Sequence, residues 1–313
     1  MLTEFKGQTL WRERIALSDK RFWPPLTVAD EPPSSTRGTL AVVDLALSRA
    51  ADRRLGQRSM RDIDAVKRTL QWAITLLVPL GLMTWSGAAA SDAPCRPVTY
   101  EGNEYVVCTA DLRQHQVRLF WKGADGEPIG SFDRLRQTPL GSRLIFAFNA
   151  GMYHEDGSPV GLFVENGQEL KRANTANGPG NFHLKPNGVF FVTGTTAGVS
   201  ETSRYLKQRL KPDFATQSGP MLVINGRIHP KISAQGTSRK IRNGVGMHDK
   251  HTAVFAISSD PVTFGEFARL FRDELGCANA LFLDGSVSSL YAPSLNRSDG
   301  WLPLGPIVGA LPR

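Results

Sequence analysis

Cysteine is scarce in this 313-residue chain: there are three, Cys95, Cys108 and Cys277, and none stands in a Cys-x-x-Cys or Cys/His spacing that would hold zinc. His154, His183, His229, His248 and His251 share no helix-borne metal spacing, so each reads as structural or exposed. A concentrated basic stripe is missing too. The net charge of +8 divides evenly, +4 over residues 1–90 and +4 over 91–313, which leaves no nucleic-acid footprint and only a mild attraction for anionic substrates. No internal repeat or low-complexity tract suggests a solenoid or a linker array. The scattered Gly-x-Gly groupings do not form a nucleotide-binding fingerprint. The longest apolar stretch, from Leu70 to Trp85, has about 16 residues, short for a helix that spans a bilayer.

That stretch carries the sharpest early signal. Arg61, Lys67 and Arg68 flank it with positive charge, and "SGAAAS" after it places Ala88 and Ala90 in the small-x-small pattern of a cleavage site. These are the three parts of a secretory signal peptide. We therefore expect residues 60–90 to be a signal peptide, or a signal anchor if uncleaved, and the mature protein to be periplasmic or secreted. Membrane contact is expected only through an uncleaved 70–86 segment. Residues 1–59 show no domain pattern and read as a gene-call artefact or a disordered tail. In an oxidising compartment Cys95 and Cys108 could pair across a small loop, with Cys277 left as a buried free thiol.

Residues 91–112 read as a lead-in, and the folded domain is expected over 113–311. It alternates short strands with hairpins. Asn166-Gly167 and Asn225-Gly226 are hairpin turns, since both central positions need positive φ. Strands are expected at 116–121, 143–151, 187–194 and 280–283, and 242–258 reads as strand, turn, strand with Asp249-Lys250 at the bend. Two helices stand out, at 199–210 and 262–276. In the second, Thr263 and Glu266 make a capping box, while Phe264, Phe267, Leu270, Phe271 and Leu275 recur at helical spacing as a core face. Many strands, two main flanking helices and no regular β-α alternation give an α+β class with a mixed, largely antiparallel sheet.

Four loops collect small and polar residues beside apolar strands: "NAGMYHEDGSPVG" from Asn149, "TQSGPMLV" around Gly219, "TSRKIRNGVGMHD" around Arg242 and Asn243, and "LDGSVSSLY" from Leu283. Singly, each has an ordinary reading as a turn, a bend or a solvated charge. Together they look like binding chemistry presented at strand ends. Asp284 could serve as general acid or base, or as an oxygen ligand for a divalent cation. Arg242 matches a phosphate with two parallel hydrogen bonds. Asn149 and Asn243 offer amides. Gly151, Gly219, Gly285, Ser286 and Ser288 leave backbone N–H groups and hydroxyls for a sugar or an anion.

In this order, "FNAGMY" (148–153), the Asn166-Gly167 turn, "SGPMLVING" (218–226), "RNGVG" (242–246) and "LDGSVSSLY" (283–291) resemble the phosphodiester glycosidase family. The resemblance runs from about residue 113 to about 311. It implies an α+β hydrolase that cleaves a sugar-1-phosphodiester, with Asn149, Gly151, Gly219, Arg242, Asp284, Gly285 and Ser288 on the family's motif positions; we expect Asp284, Arg242 and Asn149 to be catalytic, and the glycines, Asn243, Ser286 and Ser288 to bind substrate. The substrate would be a sugar phosphate or a cell-envelope glycan. Where the family commonly reads Asp-Gly-Gly-Gly-Ser, this chain has Asp284-Gly285-Ser286-Val287-Ser288, so Val287 puts a branched side chain on expected bare backbone. Glu155 and Asp156 are the candidates for a second carboxylate. The rival readings are a non-catalytic glycan or cell-wall polymer binding module and a structural envelope protein whose loops merely cap a sheet.

Overall fold

A computed structural model describes residues 93–313, so the expected signal segment and residues 1–59 lie outside the described residues. Three antiparallel sheets make up the described chain. The largest has seven strands in the order β1 (Cys95–Tyr100), β2 (Asn103–Asp111), β13 (Thr252–Ser258), β12 (Asn243–Met247), β14 (Asn279–Phe282), β10 (Met221–Ile224) and β11 (Arg227–Ile228). The second orders β16 (Arg297–Ser298), β15 (Leu290–Ala292), β4 (Phe146–Asn149), β17 (Ile307–Pro312) and β3 (His115–Phe120). The third orders β6 (Gln168–Lys171), β5 (Phe163–Glu165), β9 (Phe214–Ser218), β7 (Gly188–Thr193) and β8 (Thr196–Glu201). Strands dominate and helices are few, which is the α+β class expected. Residues 91–112, read as a lead-in, contribute β1 and β2 to the largest sheet, where β2 pairs with β13 along its length.

The two expected helices form, over α2 (Thr202–Gln208) and α3 (Phe264–Arg269), and a short α1 (Phe132–Arg136) precedes them. The Thr263–Glu266 capping box closes both ways at the start of α3, satisfying two N–H groups that the helix itself cannot. The chain then continues as a π turn over Leu270–Glu274. Asn166, Gly167, Asn225 and Gly226 all take positive φ, between 48° and 77°, as two-residue hairpins require. Cys95 and Cys108 face each other across β1 and β2 and form a disulfide, and Cys277 is free and buried.

β14 sits centrally because its side chains are claimed on both faces. Leu281 joins Phe146, Phe148, Phe190 and Phe255 in one cluster, and Leu283 beyond the strand's end does the same. Ala280 and Phe282 turn the other way, into a cluster with Phe267, Leu270 and Phe271 of the third helix and its π turn. Burying a Phe or Leu in this way contributes roughly 1.5–3 kcal/mol each, so the strand that ends at the candidate site is anchored from both sides.

Candidate active site

The ladder between β12 and β14 pairs Gly244 with Phe282, and the Leu283 N–H donates to the Asn243 carbonyl at 3.1 Å. Continued by one position, that register sets Arg242 opposite Asp284. At this point the chain stops pairing backbone to backbone, and an asparagine side chain takes over. Asn243 Oδ1 accepts from the Asp284 N–H at 3.0 Å, while its Nδ2 donates to Asn149 Oδ1 at 2.9 Å and to the Asn149 carbonyl at 3.0 Å. Asn149 Oδ1 also accepts from the Ser289 N–H at 2.8 Å. The amides thus tie the end of β4, in the second sheet, to the ends of β12 and β14 in the first. Both asparagines are fully buried, and Asn149 Nδ2 has no hydrogen-bond partner. A buried donor without a partner costs about 1–3 kcal/mol unless a ligand supplies one.

Asp284 is 8% exposed and its carboxylate has no cationic partner among the recorded ion pairs of the described residues. Burial pushes it above the usual aspartate range, opposed by hydrogen bonds from the Ser286 and Gly285 backbone. The Ser286 N–H donates to Asp284 Oδ1 at 2.8 Å, and Ser288 Oγ donates to the Asp284 carbonyl at 2.6 Å. The small residues after the strand therefore fold the loop back onto its own aspartate. Ser218 Oγ donates to the Leu283 carbonyl, bracing the strand end from β9. Tyr153 stands near enough for Asp284 to matter: its phenol is pushed up to about 12, first by burial and then by the Asp284 charge. Its hydroxyl donates to the Pro303 carbonyl at 2.6 Å.

Asn149, Asn243, Asp284, Ser286 and Ser288 are brought together. Arg242 is adjacent in the chain, but its guanidinium turns away from this network. Its Nε donates to the Val262 carbonyl at 2.8 Å and its Nη2 to the Ser238 carbonyl at 2.9 Å, over the Phe264 ring at 3.7 Å. Burial pulls it down to about 10, so it stays a cation at neutral pH, 2% exposed and with no carboxylate partner recorded. Gly151 and Gly219 serve close packing. A Cβ on Gly151 would lie 2.4 Å from the Gln217 carbonyl oxygen, and one on Gly219 2.9 Å from that of Phe182. Gly285 lies against the Phe282 ring. Glu155 and Asp156 are exposed, and Asp156 is occupied in capping its own turn through the Ser158 N–H. Tyr153, Ser218 and Ser289 are contributors that residue spacing did not single out, although all three lie inside the motifs quoted above.

A family model described as phosphodiester glycosidase matches residues 142–303. The chain is also 35% identical, over 217 residues, to the uncharacterized protein YigE of Escherichia coli (strain K12), covering 69% of this chain and 84% of that protein. The chain belongs to the phosphodiester glycosidase family. Among solved structures, it is similar to the catalytic domain of zebrafish N-acetylglucosamine-1-phosphodiester α-N-acetylglucosaminidase, auto-inhibited by its pro-peptide, at 14% identity and a TM-score of 0.48, covering 70% of this chain and 82% of that one. A hypothetical protein from Synechocystis gives 16% identity and a TM-score of 0.44, with 70% of this chain and 61% of that chain covered.

In this member of the phosphodiester glycosidase family, Val287 does not intrude on the loop's polar face. Its side chain packs at the edge of the cluster formed by Phe132, Leu135, Leu304 and Ile307, so the branched residue is absorbed by the core. A divalent cation does not fit the donor set. Among the described residues no three His, Cys, Asp or Glu side chains gather to hold a metal, Asp284 is the lone carboxylate of the network, and both asparagine oxygens already accept hydrogen bonds. Nor does any of the described ion pairs or hydrogen bonds bring a second carboxylate to Asp284.

Proposed function

We propose that this protein is an exported hydrolase that cleaves a sugar-1-phosphodiester at the bond between the anomeric carbon and the phosphate oxygen. The observation that carries the reading is Asp284, a buried carboxylate with no cationic partner among the described residues, beside the orphaned Asn149 Nδ2 on a network that ties three strand ends together. Arg242 is not a phosphate ligand in this geometry, since its guanidinium is held by the Val262 and Ser238 carbonyls. Water adds its oxygen to the anomeric carbon, the phosphate monoester leaves with the electron pair of the broken bond, and the Asp284 carboxylate takes the proton from water. Burial makes Asp284 a stronger base than an exposed aspartate. A phosphate leaves readily without prior protonation, so one carboxylate suffices where ordinary glycosidases use two. Asn149 Nδ2 is the open donor for a sugar hydroxyl or a phosphate oxygen. Localisation outside the cytoplasm is supported by the signal pattern at 60–90 and by the Cys95–Cys108 disulfide, a bond that persists in oxidising compartments.

The test is hydrolysis of a panel of soluble sugar-1-phosphodiesters by the full chain, with Asp284→Asn beside it. We expect turnover that the substitution abolishes. Ligand binding that survives in Asp284→Asn, with no turnover in either protein, would favour the non-catalytic binding module.

A further inference from the structure

One feature of the surface has no part in the chemistry above. Trp301 is 94% exposed and Leu302 51% exposed, at the tip of the loop that joins β16 to β17. The loop is not slack. Arg297 forks onto Asp299 at its base, and Asp299 Oδ2 accepts from the Leu290 N–H at 2.9 Å, directly after the loop that carries Asp284. On the other limb, the Leu304 N–H donates to the Gly130 carbonyl at 2.8 Å and Leu304 is buried. Pro303 receives the Tyr153 hydroxyl, and Tyr153 senses the Asp284 charge. Both limbs of the loop are thus hydrogen-bonded to segments beside the candidate site, and two large apolar side chains stand in water at its tip.

We infer that the Trp301–Leu302 tip is a membrane-interface contact, and that the substrate is a sugar-1-phosphodiester whose alcohol carries a hydrocarbon chain and is presented at a lipid surface. The substrate class rests on the hydrolase reading above; the surface contact does not. Three observations select this occupant. Residues 300–304 read Gly-Trp-Leu-Pro-Leu, so the Trp301 indole N–H is the only polar side-chain group that the tip offers. Its two side chains expose on the order of 300 Å², well under the roughly 800 Å² per partner that a stable protein interface buries, whereas a bilayer needs no matching surface. Tryptophan favours the boundary between headgroups and acyl chains, where one part of the ring is dry and the N–H stays wet. One tip gives weak, reversible attachment, which suits an enzyme that samples substrates across a surface. The expectation that only residues 70–86 meet a membrane is extended accordingly.

The experiment uses the full chain with phosphatidylethanolamine/phosphatidylglycerol vesicles containing bromine-labelled acyl chains, which quench tryptophan emission on contact. Trp301→Phe keeps the tip apolar but removes its reporter, so the Trp301 signal is the wild-type emission minus that of the variant. We expect that difference to be quenched; attachment through residues 70–86 alone would leave it unquenched and overturn the inference, as would seating of the tip on a protein partner. In a second arm, Trp301→Ser/Leu302→Ser should lower hydrolysis of a vesicle-borne prenyl sugar-1-phosphodiester about tenfold and leave a soluble short-chain analogue unchanged. Equal loss on both substrates, or on neither, would overturn the substrate class. If wild type hydrolyses neither while Trp301 is quenched, the surface contact stands and the hydrolase reading fails.

Discussion

Asn243 offers the clearest quantitative test of how the candidate site is held. Its fully buried side chain bonds the Asp284 N–H, Asn149 Oδ1 and the Asn149 carbonyl. Asn243→Ala removes all three contacts and has nothing to put in their place. Asn149 Oδ1 keeps the Ser289 N–H, but the Asp284 N–H and the Asn149 carbonyl lose the partners described. Two lost hydrogen bonds at about 1 kcal/mol each and one orphaned buried donor at 1–3 kcal/mol give a cost of about 3–5 kcal/mol. For a domain of this size that corresponds to a fall in Tm of about 6–20 °C. Thermal unfolding followed by circular dichroism on the wild-type and Asn243→Ala chains measures it. Because Asp284 is positioned through its backbone N–H, activity should fall by more than the unfolded fraction explains. A Tm within about 2 °C of wild type would show that the amide network carries little of the strand-end geometry, and the reasoning would fail.

Other expectations concern charge and covalent structure. Burial pushes Glu165 up to about 7 from 4.5, against the lowering influence of Arg118; its folded value lies above its unfolded one, so the stability it contributes is complete below the unfolded value and is lost as pH rises through about 7. Glu165→Gln should therefore raise Tm at pH 8 and change it little at pH 4, and a uniform shift at both would count against a buried carboxyl. The Cys95–Cys108 bond closes a short loop with a sequence separation of 13, so Cys95→Ser/Cys108→Ser should cost about 3 kcal/mol, read from urea unfolding; no loss would mean the hairpin is equally restricted in the unfolded chain. Cys277 is buried and its thiol is pushed up to about 12, so a thiol reagent should label it only at the rate of unfolding, and fast labelling under native conditions would contradict its burial.

Local signals were legible where they were chemically specific. The Asn-Gly turns, the Thr263–Glu266 capping box and the apolar face of the third helix could each be read from a few residues, because their geometry depends on near neighbours. The assignment of strands to three separate sheets could not, since Asn149 and Asn243 lie 94 positions apart and meet only through tertiary packing. The same distance hid the work of Asn243: a side chain that replaces a backbone ladder has no periodicity to betray it. Arg242 was visible as a cation beside a glycine-rich strand, but the direction of its guanidinium depends on the Val262 carbonyl, 20 positions on, together with that of Ser238 in its own loop. Gly151 and Gly219 stood out by type, yet the neighbour that excludes a Cβ at each is remote in sequence. Trp301 carried no signal at all, because exposure is a property of the finished surface.

The central claim is about which bond breaks. Turnover of a soluble sugar-1-phosphodiester in ¹⁸O-labelled water, analysed by mass spectrometry of both products, decides it directly. The account predicts one ¹⁸O on the anomeric hydroxyl of the released sugar and none on the phosphate monoester, with no turnover by Asp284→Asn. Label on the phosphate would mean attack at phosphorus and contradict the account.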